Sequence, residues 1–518
     1  MGIISKTIIF LFIFTLGEYL FGFLKTVLIA DNFGVSSQTD VYFFAYGILA
    51  FLGTLIASSL KTAFVPVFLS TKKSLGERGA WGFALSFGVF WVLLLLCLIG
   101  ITAIFASPLV HYFVPGFSQS AQGLAVLFLR LLLPVFFLLS VSGLTSALLN
   151  SYFNFWLPVL TNFLGAALFI VIFLFFKESL GIYSLVAGAI SQFLLIVTIQ
   201  IFAAIRLKSF RKVHSLNLKF FDARMRLALN LLSPLIIILL AHQVLKYIEY
   251  FLVSKTQEGG ISILSYARYL SEVPGRMIIS IVATVFFPFS SAFFSSQDRN
   301  SLILAIKKQL RFIFIVLTPI SIFFIIQSGR LVSVIFERGH FTAADVNSTA
   351  ITLSIFSIGL LSYAVGGVLG QTYFAVQEPK KMILAIICGV FLTAALDFIL
   401  VKSLSYFGIA LGFVIGNIFT NLLLLSGLGR LVKYRLIYPS RFLLKIIFSV
   451  VISTLITLPF LRFKVAIFNN PIFNLYADLF LAGGILFISY IFLLILFKVQ
   501  EMSRGLNFIT RKLKFKGI

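Results

Sequence analysis

The sequence predicts an all-α polytopic membrane protein with about fourteen transmembrane helices, and three observations support this fold class. Hydrophobic residues make up 60% of the 518-residue chain and charged residues only 11%, which is more apolar surface than a soluble domain of this size could bury. The mean hydropathy is +1.10, and apolar runs of about 20 residues, enough to cross a bilayer as a helix, recur along the whole chain. The runs are continuous rather than alternating, which excludes a transmembrane β-barrel.

Fourteen apolar segments are long enough to span the membrane, and we number them spans 1 to 14 in chain order. They cover residues 7–31, 40–68, 80–106, 122–149, 152–176, 181–205, 227–254, 260–295, 304–327, 344–376, 380–402, 407–429, 441–461 and 474–498. No convincing small-residue cleavage site follows the first span, so we expect it to be retained. Cys97 and Cys388 lie inside apolar runs, which indicates packing residues rather than a disulfide or metal framework.

The basic residues predict the orientation in the membrane. Most of the 41 Lys and Arg residues fall before span 1, in the loops after even-numbered spans, and in the C-terminal tail, with clusters at 206–226, 307–311, 429–435 and 511–516. The positive-inside rule therefore places both termini in the cytoplasm. The net charge of +25 could suggest nucleic acid, but short clusters between apolar runs are typical of cytoplasmic loops. We therefore expect membrane lipids, and no nucleic acid, as partners.

An internal repeat divides the chain. Tyr152 and Tyr373 each precede a Phe at the end of an even-numbered span. Pro66 and Pro288 are separated by almost the same number of residues, with a difference of one position. We call the separation between the two tyrosines the repeat offset. A shared offset at matching positions indicates two parallel six-helix halves related by a pseudo-twofold axis along the membrane normal. The predicted domains are an N-terminal half (1–205), a basic cytoplasmic loop (206–226), a C-terminal half (227–429), two additional helices (430–498) and a basic tail (499–518).

Ionisable residues concentrate in the first two spans of each half, which are spans 1, 2, 7 and 8. A charge at the bilayer centre costs at least about 2.5–3.5 kcal/mol, so such residues usually face a watery cavity or one another. The candidate substrate-binding residues are Lys25, Lys246, Arg268, Arg276, Lys61, Glu18, Asp40, Glu249 and Glu272. Cations outnumber anions in this set, which favours an anionic substrate such as a phosphate. The alternative is that these residues only form salt bridges between helices.

Helical spacing supports one wet face on each of these spans. Glu18 and Lys25 are seven residues apart, which is two turns along the same side of a helix. Arg268, Glu272 and Arg276 are spaced by four, a ladder of alternating charge. We therefore expect a hydrated cavity between the halves.

Several motifs resemble the MurJ/MviN lipid II flippase family, within the multidrug, oligosaccharidyl-lipid and polysaccharide exporter superfamily. The most specific are residues 335–346, which read IFERGHFTAADV, and residues 373–381, which read YFAVQEPKK. Gly22-Phe23, Thr39-Asp40 and Tyr266-Ala267 add to the resemblance. It implies fourteen helices, a central cavity lined by helices 1, 2, 7 and 8, and a groove for the lipid tail in the last two helices. It also implies a bacterial inner-membrane protein that moves an undecaprenyl-diphosphate-linked sugar outward for peptidoglycan synthesis.

The chain departs from the pattern of this family at several basic positions. The family usually has arginine where this chain has Tyr19 and Lys25, and it has arginines in the middle of span 2 that are absent here around Leu52. Where the family has an acidic residue after the second of these arginines, this chain has Thr26. Where the family has Asp followed by Arg, this chain has Arg268 followed by Tyr269. Because Arg and Lys are not interchangeable at a diphosphate site, the exact lipid-linked glycan stays open.

Two further features concern ions and helix ends. Asp397 in span 11, with Asn417, Thr420 and Asn421 in span 12, could form a Na⁺ or H⁺ coupling site, and the resemblance permits one. The alternative is an ordinary interhelical hydrogen bond. Thr342 and Asp345 form a capping pattern expected to start span 10.

Three functions are compared. The sequence favours a monomeric flippase for lipid II that works by alternating access without a cofactor, using Na⁺, H⁺ or the membrane potential. The second hypothesis is an exporter of another lipid-linked oligosaccharide, such as an O-antigen precursor, with the same fold. The third is a membrane glycosyltransferase, but the external loops are short and poor in acidic or His residues that could serve as catalytic groups, and no nucleotide-binding or nucleophile motif occurs. We therefore do not expect an enzyme.

Overall fold

The computed structural model describes residues 2–207, 222–432, 440–460, 471–499 and 501, and this part of the chain contains helices and no β-strand. The first helices are α1 (Gly2–Phe33), α2 (Ser37–Ile104), α3 (Ala106–Phe113), α4 (Gln119–Leu131), α5 (Leu133–Ser151), α6 (Trp156–Leu180), α7 (Tyr183–Ile205), α8 (Ala223–Ser254) and α9 (Gly260–Ser295). The others are α10 (Arg299–Ile326), α11 (Ser328–Phe336), α12 (Ala343–Ile358), α13 (Leu360–Ala375), α14 (Met382–Leu404), α15 (Tyr406–Leu431), α16 (Ser440–Phe460) and α17 (Pro471–Leu496), with a 3₁₀ turn at Pro379–Lys381.

The basic segments lie mostly outside this description. Residues 208–221 of the predicted cytoplasmic loop and residues 502–518 of the predicted tail, which include the cluster 511–516, are outside the described residues, as are residues 433–439. The predicted orientation of the termini therefore stays a prediction.

Helix α2 contains two membrane crossings. It has 68 residues, about 100 Å of helix, whereas the hydrocarbon core is about 30 Å thick. The backbone leaves helical geometry at Gly76, where φ is 71° and ψ is −172°. This combination is essentially restricted to glycine, so Gly76 forms a corner between predicted spans 2 and 3.

The remaining helices match the predicted spans. Eleven helices in the described part of the chain are long and apolar enough to cross a membrane, or twelve when α12 and α13, bent by 47°, count as one span. With α2 as two crossings and α9 as predicted span 8, the helices are consistent with fourteen spans. The predicted all-α polytopic fold class is confirmed.

The order of helices repeats along the chain. In each half, a long helix leads to a short helix (α3 or α11) and then to a span broken in its middle (α4 with α5, or α12 with α13). Gln297 follows Gly76 by the repeat offset and also has a positive φ angle. It lies between the end of α9 and the start of α10, so a corner is present at the same position in both halves. The repeat inferred from the sequence thus recurs in the positions of the helix breaks.

Capping boxes form at the starts of α2 and α12. The Ser36 hydroxyl accepts from the Thr39 backbone N–H, and the Thr39 hydroxyl accepts from the Ser36 backbone, which forms a capping box at α2. Thr342 and Asp345 form the same arrangement at α12. Each box satisfies backbone N–H groups that a helix start leaves without partners, and the cap predicted at Thr342 is confirmed.

The contacts divide the chain into two compact units. The first contains Met1–Tyr266, Arg338–Phe341 and Ile386–Gly412, and within it α2 packs along α5 and α8, while α6 packs against α1 and α7. The second contains Ala267–Glu337, Thr342–Ala385 and Phe413–Ile518, with α10 packed against α12 and α13. The predicted domain boundaries stay a prediction.

The last two helices pack on each other and on α10 in the second unit. Their shared core includes Phe442, Ile446, Tyr490 and Leu494. The Tyr490 hydroxyl donates to the Ile315 carbonyl at 3.2 Å, so a buried polar group is satisfied inside an apolar interface.

The corner at Gly76 gives a stability prediction. A Cβ at Gly76 would meet no atom within 4 Å, so the cost of Gly76→Ala is the backbone conformation alone. We expect this change to lower the free energy of unfolding by about 1–3 kcal/mol.

The matched control is Gly82→Ala, because Gly82 lies inside α2 and its Cβ would also meet nothing. We expect that change to stabilise the helix by up to about 1 kcal/mol. Thermal unfolding of both variants in detergent checks the difference, and equal effects of the two changes would contradict the strained corner.

Candidate functional site

Lys25 of α1 is surrounded by aromatic rings in the first unit. Its ammonium lies 3.9 Å from the ring centre of Phe169, 4.4 Å from that of Tyr46 and 6.0 Å from that of Tyr42. Tyr42 and Tyr46 are four residues apart on α2 and stack on each other, as expected for one helix face. Among the described residues no carboxylate forms an ion pair with Lys25. The ring faces stabilise the cation while its charge remains available to an anion.

Lys246 of α8 is held by a carboxylate and a ring. Its ammonium lies 3.1 Å from Glu249 Oε2 and 4.8 Å from the ring centre of Tyr250. The Tyr250 hydroxyl donates to the Phe43 carbonyl of α2 at 3.1 Å, and the rings of Phe44 and Tyr250 are in contact. Aromatic residues of α2 thus contact Lys25 on α1. They also contact Tyr250 on α8, whose ring lies against the ammonium of Lys246. Span 2 therefore contacts both span 1 and span 7 in this unit, and the hydrated cavity stays a prediction.

Glu18 and Lys61 form a third charged group in the first unit. The Glu18 carboxylate is hydrogen-bonded to Asn162 of α6 and interacts electrostatically with Lys61 of α2. The Lys61 side chain is exposed, so this intramembrane charge is not enclosed by the protein.

In the second unit, α9 carries the remaining predicted cations. The Arg276 guanidinium lies 2.6 Å from Glu272 Oε2, one turn away on the same helix. The Arg268 guanidinium lies over the rings of Phe356 and Phe413, at 5.1 and 4.7 Å from their centres. The four-residue spacing therefore forms the predicted pair between Glu272 and Arg276, and it places Arg268 on aromatic rings. That all nine predicted residues share one chamber stays a prediction.

Asp40 has a role that the sequence did not indicate. Its carboxylate accepts from the backbone N–H of Gly259 at 2.8 Å, and from the backbone N–H and hydroxyl of Ser262 at 2.7 and 2.6 Å. These donors belong to the start of α9, where the helix dipole favours a negative charge. With a relative exposure of 3%, Asp40 caps α9 within the protein. On the predicted topology these helix starts face the outside, so we call Asp40, Gly259 and Ser262, with Ser37 and Glu258, the outer knot.

The outer knot joins positions related by the repeat. The Ser37 backbone N–H donates to Glu258 Oε1 at 3.0 Å, and the two residues are separated by the repeat offset. Residues related by a twofold operation can touch only close to its axis. The knot therefore places the starts of α2 and α9 close to the predicted pseudo-twofold axis, and the repeat offset could have indicated this contact.

The proposed cation ligands are engaged in packing. The Asn421 amide donates to the Ser362 carbonyl at 2.6 Å and to Asn417 Oδ1 at 3.0 Å, and the Thr420 hydroxyl donates to the Gly416 carbonyl. Asp397 is fully buried and packs so closely on Gly412 that a side chain there would collide with its carboxylate. The coupling site around Asp397 stays a prediction, whereas the Asn421 amide joins α15 to α13 by a hydrogen bond that serves packing.

A repeat-related amide supports this interpretation. Gln200 precedes Asn421 by the repeat offset and is fully buried. Its carbonyl accepts from Thr145, at 2.6 Å, and Ser146, and its amide N–H donates to Thr161 at 2.9 Å. In both halves a buried amide near the end of the sixth helix binds a hydroxyl on the broken span. The amide at this position serves helix packing in both copies.

The aromatic residues around the cations were not predicted from the sequence. Phe169, Tyr42, Tyr46 and Tyr250 contact Lys25 or Lys246. The spacing of Tyr42 and Tyr46 by four was a usable signal. Phe169 carried none, because Phe is common throughout the chain, with 63 copies.

Comparisons with known proteins agree on one family. The family model described as lipid II flippase MurJ matches residues 29–476. A probable lipid II flippase MurJ of Buchnera aphidicola subsp. Schizaphis graminum is 27% identical over 506 residues, covering 95% of this chain and 97% of the relative. Lipid II flippase MurJ of Burkholderia cenocepacia is 26% identical over 432 residues, covering 80% and 82%.

Solved structures show the same fold. A structure of lipid II flippase MurJ in an inward closed conformation matches with a TM-score of 0.75 and 22% identity, covering 93% of this chain and 98% of that one. An inward-facing multidrug resistance MATE family transporter matches with a TM-score of 0.64 and 17% identity, covering 82% and 95%.

The outer knot gives a prediction about Asp40. Asp40→Asn keeps the shape of the side chain but removes the charge that accepts three hydrogen bonds, and we expect it to lower the free energy of unfolding by about 2 kcal/mol. Ser262→Ala removes one hydroxyl donor and leaves the backbone donor, so we expect a loss of about 1 kcal/mol. Thermal unfolding compares them. A smaller loss for Asp40→Asn than for Ser262→Ala would show that the charge does not hold α9.

Proposed function

Because the chain belongs to the MurJ family of lipid II flippases, we propose that it moves lipid II from the cytoplasmic to the outer leaflet of the bacterial inner membrane by alternating access. Lipid II is an undecaprenyl-diphosphate-linked peptidoglycan precursor, so the activity serves cell-wall synthesis and cell shape. The cargo presents two phosphates, a polar glycan and a long apolar tail. The protein must offer cations to the phosphates and an apolar surface to the tail.

One observation carries this proposal, and it is the ring-bound, uncompensated cation Lys25. An ammonium inside a membrane span is costly, and a carboxylate partner would satisfy it permanently. Here Phe169 and Tyr46 stabilise it through their ring faces instead. Such a cation can form a charge-assisted hydrogen bond with an incoming diphosphate without first breaking an ion pair.

Lys246 and Arg268 complete the proposed headgroup site. Lys246 is partly neutralised by Glu249, and the Arg268 guanidinium lies over the rings of Phe356 and Phe413. A guanidinium suits bidentate binding of phosphate. In the inward state Lys25, Lys246 and Arg268 hold the diphosphate, and Glu18, Lys61, Glu249, Glu272 and Arg276 set the local charge.

The outer knot supports a two-state cycle. Asp40 joins the outer ends of α2 and α9 through hydrogen bonds to Gly259 and Ser262. Release of the headgroup outward requires these ends to separate, so the knot has to open in the outward state. Because the bonds are few and local, a modest difference in substrate binding can shift the balance between states.

The last two helices offer a surface for the prenyl chain. Besides their shared core, α16 and α17 carry exposed apolar side chains. They include Phe448, Leu455, Phe480, Ile488 and Phe492. We assign the guidance of the lipid tail to this surface. The protein acts in this proposal as a monomer, with both termini cytoplasmic and without catalytic chemistry.

The substrate is tested by complementation. The host's own lipid II flippase is depleted while this chain is expressed, and growth and labelled lipid II at the outer surface are measured. Restoration of both is the expected result. If the chain reaches the membrane at normal level and restores neither, lipid II is the wrong cargo, and transport of another lipid-linked oligosaccharide is measured next.

The headgroup site is tested by substitution. Lys25→Ala, Lys246→Ala and Arg268→Ala each remove a charge-assisted contact, and we expect each to lower transport by about 10–100-fold. The matched control is Lys255→Ala, because Lys255 also lies over a ring, 3.9 Å from the centre of Phe251, but at the end of α8. Transport by Lys255→Ala should be unchanged. Wild-type transport by all three site variants would remove the proposed site.

We assign the coupling of transport to Na⁺, H⁺ or the membrane potential, with Asp397 as the coupling carboxyl. Asp397 is a fully buried acid, and a buried acid inside a span is a functional candidate by default. Asp397→Asn should abolish the dependence of the transport rate on Na⁺ or pH, whereas Asn421→Ser should change stability and leave that dependence intact. An unchanged ion dependence in Asp397→Asn excludes this carboxyl.

A further inference from the structure

A recess of about 560 Å³ opens in the second unit where α9, α13 and α15 end and α10 begins. Its polar lining consists of Gln297, Arg299 and Gln377, and its apolar wall includes Phe293 and Leu431. On the predicted topology these helix ends face the cytoplasm, at the level of the lipid headgroups. A volume in this range suits a small ligand that is partly polar and partly apolar.

The equivalent corner in the N-terminal half is filled by side chains. Around Gly76, the Tyr152 hydroxyl donates to Glu77 Oε2 at 2.6 Å, and Lys72 pairs with Glu77 at 2.6 Å and lies over the Tyr152 ring. Trp81 stacks on Tyr152. Leu302 of the recess follows this tryptophan by the repeat offset. The two copies of the corner therefore differ in their side chains: Tyr152, Glu77 and Trp81 pack together in the first, whereas the second lines the recess.

Both glutamines of the recess have strained backbones. The φ angle is 59° at Gln297 and 57° at Gln377, a conformation that glycine adopts freely and that costs other residues free energy. The first copy has Gly76 at the position of Gln297. Two amide side chains line one cavity although glycine would relieve the backbone strain at both positions. Such strain is typical of a site whose function requires the side chains.

Fixed anions near the recess are already engaged. The Asp298 carboxylate accepts from Ser301 at the start of α10, and the Ser301 hydroxyl and backbone N–H lower the pKa of Asp298. Glu378 pairs with Lys381 at 3.1 Å. Arg299, exposed at the recess, thus remains as a cation with amide donors on either side.

We infer that this recess binds the phosphate of a lipid in the cytoplasmic leaflet. Arg299 meets the phosphate charge, Gln297 and Gln377 donate to its oxygens, and the acyl or prenyl chain runs along Phe293 and Leu431. This site is separate from the headgroup site around Lys25 and does not depend on which glycan is transported. Anionic phospholipids and polyprenyl phosphates share the required chemistry.

The test measures lipid binding to the purified full-length protein by native mass spectrometry. Phosphatidylglycerol, undecaprenyl phosphate and zwitterionic phosphatidylcholine are titrated separately. We expect Arg299→Gln to weaken the tightest site for a phosphate lipid by about tenfold. The double variant Gln297→Gly with Gln377→Gly removes both amides and relieves both positive φ angles, so it should bind several-fold more weakly while its melting temperature is unchanged or higher.

The matched control is Arg78→Gln. Arg78 precedes Arg299 by the repeat offset, and its substitution removes the same charge at the filled corner, so lipid binding by this variant should equal that of the wild type. An equal loss in Arg78→Gln and Arg299→Gln would mean diffuse surface charge and would overturn the inference. Wild-type binding by both recess variants would overturn it as well. The relative effects on phosphatidylglycerol and undecaprenyl phosphate identify the lipid.

Discussion

An ionisable side chain inside hydrocarbon must be satisfied by the protein, and this constraint organises the molecule. Each intramembrane charge of the first two spans in either half has an identifiable means of support. Lys246 and Arg276 have carboxylates, Asp40 has backbone donors at a helix start, and Lys25 has ring faces. Only the last kind of support leaves the charge uncompensated. The part of the membrane domain that is hardest to stabilise is therefore also the part suited to hold a diphosphate.

The internal repeat explains both the similarities and the differences between the halves. Helix order, broken spans and the buried amides at Gln200 and Asn421 recur, because each half has to satisfy its backbone and pack its helices in the same way. The corners at Gly76 and Gln297 differ: Tyr152 packs against Glu77 at the first, and a recess lies beside Arg299 at the second. The two halves share the helix packing around the buried amides. They differ at the corner, where the second half has the proposed lipid-binding recess.

Much of the fold was predictable because the membrane imposes one length and one polarity on every span. The charged positions of the proposed site were noticeable in the sequence for the same reason, since Lys25 and Lys246 stand in apolar runs. The rings that hold them were not, because Phe169 resembles every other Phe in the chain. Asp40 was assigned to substrate binding, whereas its hydrogen bonds to the start of α9 require knowledge of which helix ends meet. Sequence shows that a charge is unusual, and only the fold shows its partner.

The outer knot has a consequence for how such a chain could arise. In an assembly of two identical subunits, an acid beside the symmetry axis would face its own copy, and two carboxylates at that distance repel each other. Here the counterpart of Asp40 at the repeat offset is Ile261, and only one acid remains to meet the donors of α9. Two covalently joined halves can change independently, whereas two identical subunits cannot. A single acid at this position is therefore a contact that two identical subunits could not form.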